Sequence, residues 1–143
     1  MDLDTLLNKN QKEAATYLDS HLRIIAGAGS GKTRVVTYRI AHLIQDIGID
    51  PRSILAITFT NKAANEMKER VNEIVGIHGS GTLICTIHSL CVRLLRQHIN
   101  VLNYPSNFTI MDEEDQKALI KKLYTQLEID AKVISIKSMI NTI

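Results

Sequence analysis

The sequence has no apolar run long enough to cross a bilayer, for which about 20 consecutive residues are needed. Its first residues, Met1-Asp2-Leu3-Asp4, are acidic and lack the basic-then-apolar shape of a secretory signal. The two absences make a cytoplasmic, membrane-free location the expectation. Cysteine is scarce, and Cys85 and Cys91 alone make no disulfide framework. Charge of one sign is lacking too. A net +2 at pH 7 gives no bulk argument for nucleic acid, so any such site must come from local placement. The rest is ordinary, with 45% hydrophobic and 22% charged residues in a chain of 143, enough for one globular domain or a domain and part of another.

Against that background one stretch stands out. Ile24 to Arg34 reads Ile-Ile-Ala-Gly-Ala-Gly-Ser-Gly-Lys-Thr-Arg. Branched apolar residues enter a glycine-rich turn, the turn ends on Lys32-Thr33, and a helical pattern follows. That is the strand–loop–helix order of a phosphate-binding P-loop. Gly27, Gly29 and Gly31 allow the backbone to take φ > 0 and fold around an anion. Ala28 and Ser30 stand between them, and successive amides plus the helix N-terminus supply positive potential. Lys32 is the mobile charge for β- and γ-phosphates, and the Thr33 hydroxyl suits Mg²⁺. The pattern G-x-x-x-x-G-K-[ST] wants Gly where the chain has Ala26, a departure that a small residue at a strand end tolerates.

Taken in order, Asn8 caps a first helix over about Lys9 to Leu18 with Gln11 in its first turn. Leu22 to Ala26 reads as a buried strand. A helix from Lys32 to about Asp46 repeats Val36, Ile40, Leu43, Ile44 and Ile47 at the 3.6 period, with Gly48 and Pro51 beyond it. Ile54 to Thr58 is a second strand, apolar throughout, as in parallel sheets covered on both faces. Phe59-Thr60-Asn61-Lys62 turns into a third helix reaching about Val75. Ala64, Met67, Val71 and Ile74 share one face of it, and Glu66 and Arg70 form an i,i+4 pair on the other. After the loop Gly76 to Gly81, Thr82 to Ile87 is a third strand. His88-Ser89 opens a helix to about His98, with Leu90, Leu94 and Leu95 inward and Arg93 and Arg96 outward. The order αβαβαβα predicts an α/β sandwich with a parallel sheet flanked by helices. Past Asn103 to Asn107, Phe108 to Met111 is a candidate short strand. Asp112 then caps an acidic helix start, with Leu119, Leu123 and Leu127 inward, and Ile136, Met139, Ile140 and Ile143 line one face of a last helical pattern that the sequence leaves unstopped. The expected division is residues 1–111, an α/β domain, and residues 112–143, the start of a helical subdomain that the chain truncates.

Four blocks resemble the superfamily 1 DNA helicases of the UvrD/Rep/PcrA type. Leu7-Asn8 with Gln11 resembles the Q motif. Ala26 to Thr33 with Arg34 resembles motif I, where Ala at the first position is usual. Phe59-Thr60-Asn61-Lys62-Ala63-Ala64 with Met67 resembles motif Ia, and Thr86-Ile87-His88-Ser89 resembles motif Ib, with Ile87 in place of the common Phe. Phe108 to Asp112 resembles the exit from domain 1A into helical domain 1B. The resemblance implies a RecA-like P-loop NTPase fold and an ATP- and Mg²⁺-dependent enzyme moving 3′–5′ on single-stranded DNA, working at single-strand/duplex junctions in repair or replication.

It also implies roles. Gln11 would hydrogen-bond adenine with its donor-and-acceptor amide. Ala26 to Arg34 would bind the nucleotide, with Lys32 and Thr33 serving catalysis and Thr33 holding Mg²⁺. Phe59 would lie against single-stranded DNA, where a ring stacks without reading sequence. Thr60, Asn61, Lys62, Thr86, His88 and Ser89 would contact the DNA backbone. The family's Asp-Glu-x-x-Asp block is missing, since the one acidic cluster, Asp112 to Asp115, opens a helix. The later motifs and the second motor domain are missing as well. An N-terminal fragment that neither hydrolyses ATP nor unwinds DNA is therefore expected.

Rival readings account for less. A P-loop kinase or nucleotide switch explains Lys32 but not Gln11, the Phe59 block or Thr86 to Ser89, and a scaffold using the fold without turnover is a further alternative. His78, Cys85, His88 and Cys91 lack zinc-pair spacing, and Cys85 reads as a buried strand residue. His21, His42 and His98 read as surface residues that nothing pairs, and Met67 and Met139 as core filler.

Overall fold

A computed structural model describes residues 1–142, which form two compact units, Met1–Leu94 and a second from Leu95 onward. The first contains α1 (Leu3–Leu6), α2 (Lys9–Thr16), α3 (Lys32–Gln45), β1 (Leu55–Thr58), α4 (Asn61–Val75) and β2 (Leu83–Thr86), with 3₁₀ turns at Pro51–Ser53 and Gly76–Gly79. The next helix, α5 (Ile87–His98), runs across the division. The second unit continues with α6 (Glu113–Gln126) and α7 (Ile136–Thr142).

β1 and β2 pair in parallel, in register from Leu55 with Leu83 to Thr58 with Thr86. Parallel neighbours need a crossover, and α4 supplies it. Alternation along the strands buries Ala56, Ile84 and Thr86 on one face. There Ala56 and Ile84 meet Ile40, Ala41 and Ile44 of α3 and Ala64, Met67, Val71 and Val75 of α4 in the main core. Leu55 and Ile57 on the other face are 49% and 48% exposed, so this sheet is covered on one face, where the apolar sequence implied two.

The expected strand over Leu22 to Ala26 is not formed. The segment is irregular and exposed, Ile25 at 84%. A strand exists through its ladder, and among the described residues no segment hydrogen-bonds to this one as a strand partner. The local sequence has the composition of a buried strand but lacks the neighbour that would make it one. For the same reason Phe108 to Met111 is not a strand.

α3 buries Val35, Thr37, Ile40, Ala41 and Ile44, while the expected Val36 and Ile47 are exposed. The apolar stripe is turned because α3 packs on α2 as well as on α4. Leu3, Leu7, Ala15 and Val35 make a second small core there. The first helices are tied to α3 by arginines. Arg34 Nη2 donates to Leu6 O at 2.7 Å, and Arg39 Nη1 donates to the carbonyls of Ala14, Ala15 and Tyr17, which terminate α2 and have no helical partner. At the far end of α3, Gln45 Nε2 donates to Ile74 O at 3.0 Å and fastens the helix to the last turn of α4.

Asp112 caps α6 as expected, with Asp115 completing a capping box. The buried residues of α6 are Ile120 and Tyr124 rather than the leucines, since Leu119, Leu123 and Leu127 are 41%, 40% and 66% exposed. Two apolar stripes lie side by side on this helix, and the packing of α7 selects between them. Two other inward expectations also fail, with Leu94 and Leu95 exposed on α5. The ion pairs within 4.0 Å among the described residues do not include Glu66–Arg70.

His42, expected to have no partner, instead binds Asp46, Nδ1 to Oδ2 at 2.7 Å, and the Met1 ammonium reaches Asp46 Oδ1 at 3.0 Å. The His42 hydrogen bond, then the Met1 ammonium, hold the Asp46 carboxyl below its ordinary value of 3.8. A carboxylate with a lowered folded-state pKa contributes stability that is complete above its ordinary value and is lost as pH falls through the lower one. Asp46→Asn is expected to cost about 0.5 kcal/mol at neutral pH, as a partly exposed pair should, and the difference from the unaltered chain should vanish at strongly acid pH. Urea unfolding at the two pH values measures it.

Candidate functional site

The glycine-rich turn precedes α3 and lies outside any helix, and Lys32 and Thr33 are the first two residues of that helix. Gly29 and Gly31 have φ of +75° and +84°, the left-handed conformation that glycine tolerates. Gly27 does not, so two of the three glycines serve the conformation expected of all three. Around Gly27 and Gly29 the space is open, and a Cβ at either would meet nothing within 4 Å. Gly31 differs, because a Cβ there would sit 2.8 Å from Gln11 Nε2.

Side chains close the turn. Lys32 Nζ donates to Ala26 O at 2.9 Å and Gly27 O at 2.7 Å, and Ser30 Oγ donates to Gly27 O at 2.8 Å. With two of its three protons so used, the ammonium is parked over the mouth of the turn, where an arriving anion competes with two neutral carbonyls for it. Gln11 belongs to a capping box on α2: Asn8 Oδ1 accepts from Gln11 N at 2.9 Å, and Gln11 Oε1 accepts from Asn8 N at 3.1 Å. Its Nε2 then donates to Ser30 O at 3.0 Å. Both ends of the amide are engaged, so in this structure Gln11 holds the glycine turn from the side. Asn8, Asn10, Gln11, Ala26, Ser30 and Lys32 share the wall of a recess of about 250 Å³. That is below the roughly 300–1,000 Å³ of ordinary ligand pockets, and it suits part of a nucleotide.

The remaining expected residues divide. Arg34 is drawn away from the turn, bonded to Leu6 O with its guanidinium 5.5 Å from the Tyr38 ring centre. Thr33 is exposed. Phe59, directly after β1, is 96% exposed. Thr60 Oγ1 accepts from Ala63 N at 3.1 Å and caps α4, which begins at Asn61 and Lys62. Thr86 is 6% exposed and shares its hydroxyl with Ser89, Oγ1 to Oγ at 2.9 Å, so it shapes the entry to α5 and presents little surface. His88 and Ser89 are exposed.

Topology relates these pieces. The register Thr58 with Thr86 sets Phe59 to Lys62 and Ile87 to Ser89 side by side at the carboxyl ends of the strands. α3 and α4 both lead into strands, and Gln45–Ile74 joins their last turns. Their first residues, Lys32 and Asn61, therefore lie toward the edge where the strands end, the edge at which open α/β sheets bind ligands.

A family model described as the UvrD/REP helicase N-terminal domain matches residues 7–143. The chain belongs to that family. It is 46% identical over 137 residues to the ATP-dependent DNA helicase PcrA of Staphylococcus aureus (strain NCTC 8325 / PS 47), covering 96% of this chain and 19% of that protein. It is 47% identical over 137 residues to PcrA of Bacillus subtilis (strain 168), covering 96% of this chain and 18% of the relative. The chain thus spans about a fifth of the length of the curated relatives it matches. Within this family domain, the sequence reading overlooked Asn10 and the locking of Gln11 onto Ser30. The Asn8-x-x-Gln11 spacing was a legible capping box, but nothing local signalled the contact across 19 residues.

Gly31→Ala tests the packing of the turn. The left-handed φ alone should cost about 1–2 kcal/mol. The clash with Gln11 adds to it, so the penalty should shrink in a Gln11→Ala background. Chemical unfolding of the single and double variants gives the coupling.

Proposed function

We propose that this chain is the ATP-binding portion of an ATP-dependent DNA helicase that travels 3′–5′ along single-stranded DNA, serves repair or replication, and acts at single-strand/duplex junctions together with a second motor domain. The observation that carries the reading is the open glycine turn, held at the start of α3 by Lys32 and flanked by Gln11. Lys32 and the turn amides would take the β- and γ-phosphates, and the base would fall on the Gln11 side of the recess. Space is open beside Gly27 and Gly29, where a Cβ would meet nothing within 4 Å.

Among the described residues no three His, Cys, Asp or Glu side chains gather closely enough to hold a metal ion. Mg²⁺ needs no such cage, because it binds through one or two protein oxygens with phosphate and water supplying the rest. The exposed Thr33 hydroxyl, beside the phosphate turn, fits that donor set. Mg²⁺ bound with nucleotide would neutralise phosphate charge.

Phe59 favours a DNA partner over a kinase or switch. A fully exposed ring at a strand end is costly to keep in water and suits base stacking, while His88, Ser89, Asn61 and Lys62 offer donors beside it for a phosphodiester chain. Hydrolysis asks for a strand-end Asp, a water-orienting group and an arginine for the transition-state charge, and the family's Asp-Glu-x-x-Asp block is not in this sequence. The chain by itself should bind nucleotide weakly and turn none over.

Two measurements test this. Lys32→Ala should abolish nucleotide binding in calorimetry while leaving single-stranded oligonucleotide binding intact. Phe59→Ala should weaken oligonucleotide binding by about 1–3 kcal/mol in fluorescence anisotropy and spare nucleotide. Nucleotide binding without any oligonucleotide binding would favour the kinase or switch reading. DNA-stimulated ATPase activity of the chain, abolished by Lys32→Ala, would contradict the expected inactivity.

A further inference from the structure

The edge from which β1 and β2 start holds a second recess of about 650 Å³. Arg52 enters it from the 3₁₀ turn ahead of β1, Lys68 and Asn72 from α4, Arg93 from α5, and Ser80 from the turn ahead of β2. We propose that this recess binds phosphodiester groups of a DNA strand, as a site separate from the phosphate turn and from the Phe59 edge.

The donors there are uncommitted. Among the described residues Lys68 Nζ, the Arg93 guanidinium, the Asn72 amide and the Ser80 hydroxyl make no hydrogen bond, and neither Lys68 nor Arg93 is ion-paired. Arg52 is oriented, since its Nε and Nη2 grip the Asp50 carboxylate at 3.1 and 2.7 Å. That pairing leaves Lys68 and Arg93 as the uncompensated charge. The wall is built closely. A Cβ on Gly81 would lie 2.9 Å from Arg52 Cγ, and one on Gly79 would lie 3.3 Å from Asn72 Oδ1, so the two glycines let the turn sit close against these side chains while Ser80 between them keeps its hydroxyl.

Cations from different elements converging on an open, polar recess select an anion. No aromatic ring lines it, so nothing there offers a stacking surface for a base, and the group recognised is phosphate. The volume exceeds one phosphate, which favours a strand over a free ion. Taking that strand to be DNA rests on the function proposed above.

The test is a ¹H–¹⁵N NMR titration of the 143-residue chain with single-stranded oligo(dT), read at two places, the amides of residues 79–82 with Arg93 Nε, and those of residues 59–62. Shifts at both are expected. Shifts only at 59–62 overturn the recess and leave the proposed function standing. Shifts only at 79–82 leave the recess standing and remove the Phe59 edge, and no shifts overturn both. Inorganic phosphate at equal phosphate concentration should shift 79–82 much less, and an equal response would overturn the DNA assignment. In anisotropy the Lys68→Ala/Arg93→Ala variant should lower the slope of log affinity against log salt by about 1.4, at about 0.7 per cation on single strands. A Lys121→Ala/Lys122→Ala control, outside the recess, should leave it unchanged. Equal slopes for the two double variants would overturn the proposal.

Discussion

A left-handed turn of small residues cannot hold its own shape, and the candidate site depends on what holds this one. Gly29 and Gly31 occupy left-handed backbone conformations, and fixing a glycine backbone costs entropy. Beyond the Ser30–Gly27 hydrogen bond within the turn, two side chains compensate. Lys32 reaches back to the carbonyls of Ala26 and Gly27, and Gln11 reaches across from α2 to that of Ser30. The first is a charge waiting on neutral acceptors, easily drawn to a phosphate. The second transmits the position of α2, and with it the capping box of Asn8, to the loop. Anything that shifts α2 shifts the turn, which gives the arginine ties from α3 to α1 and α2 a functional as well as a structural consequence.

A parallel strand pair imposes the rest. Because β1 and β2 point the same way, one edge collects every strand exit and the other every strand entry. Helices joining them must start at the first edge and finish at the second. The glycine turn, Phe59 and His88 therefore lie toward one side, while the cationic recess of Arg52, Lys68 and Arg93 falls on the other. Cationic side chains thus stand at both edges of one small sheet, Lys32 and Lys62 toward one and Arg52, Lys68 and Arg93 toward the other.

The sequence made the local features plain. Gly-x-Gly-Lys-Thr at residues 29–33, the Asn8, Thr60 and Asp112 caps and the 3.6-residue stripe on α4 all depend on neighbours a few positions away, and each has its counterpart in the structure. What escaped depended on partners distant in the chain. Leu22 to Ala26 has strand composition without a ladder. Leu119, Leu123 and Leu127 make a credible stripe beside the one that Ile120 and Tyr124 bury. His42 met Asp46 one turn on, a pairing visible in hindsight from the i,i+4 spacing, and Thr86 turned inward because its hydroxyl is spent on Ser89. Periodicity tells which residues share a face, but the choice among faces belongs to the packing partner.

The parallel register puts the glycine turn and the Phe59 block toward one edge of the sheet and the Gly79–Thr82 turn toward the opposite one. Paramagnetic relaxation measured with a spin-labelled nucleoside triphosphate reads that arrangement directly. Broadening should be strongest at Gly27 to Thr33, clear at Phe59 to Lys62 and absent at Gly79 to Thr82. Broadening at Gly79 to Thr82 with Phe59 to Lys62 spared would contradict that arrangement.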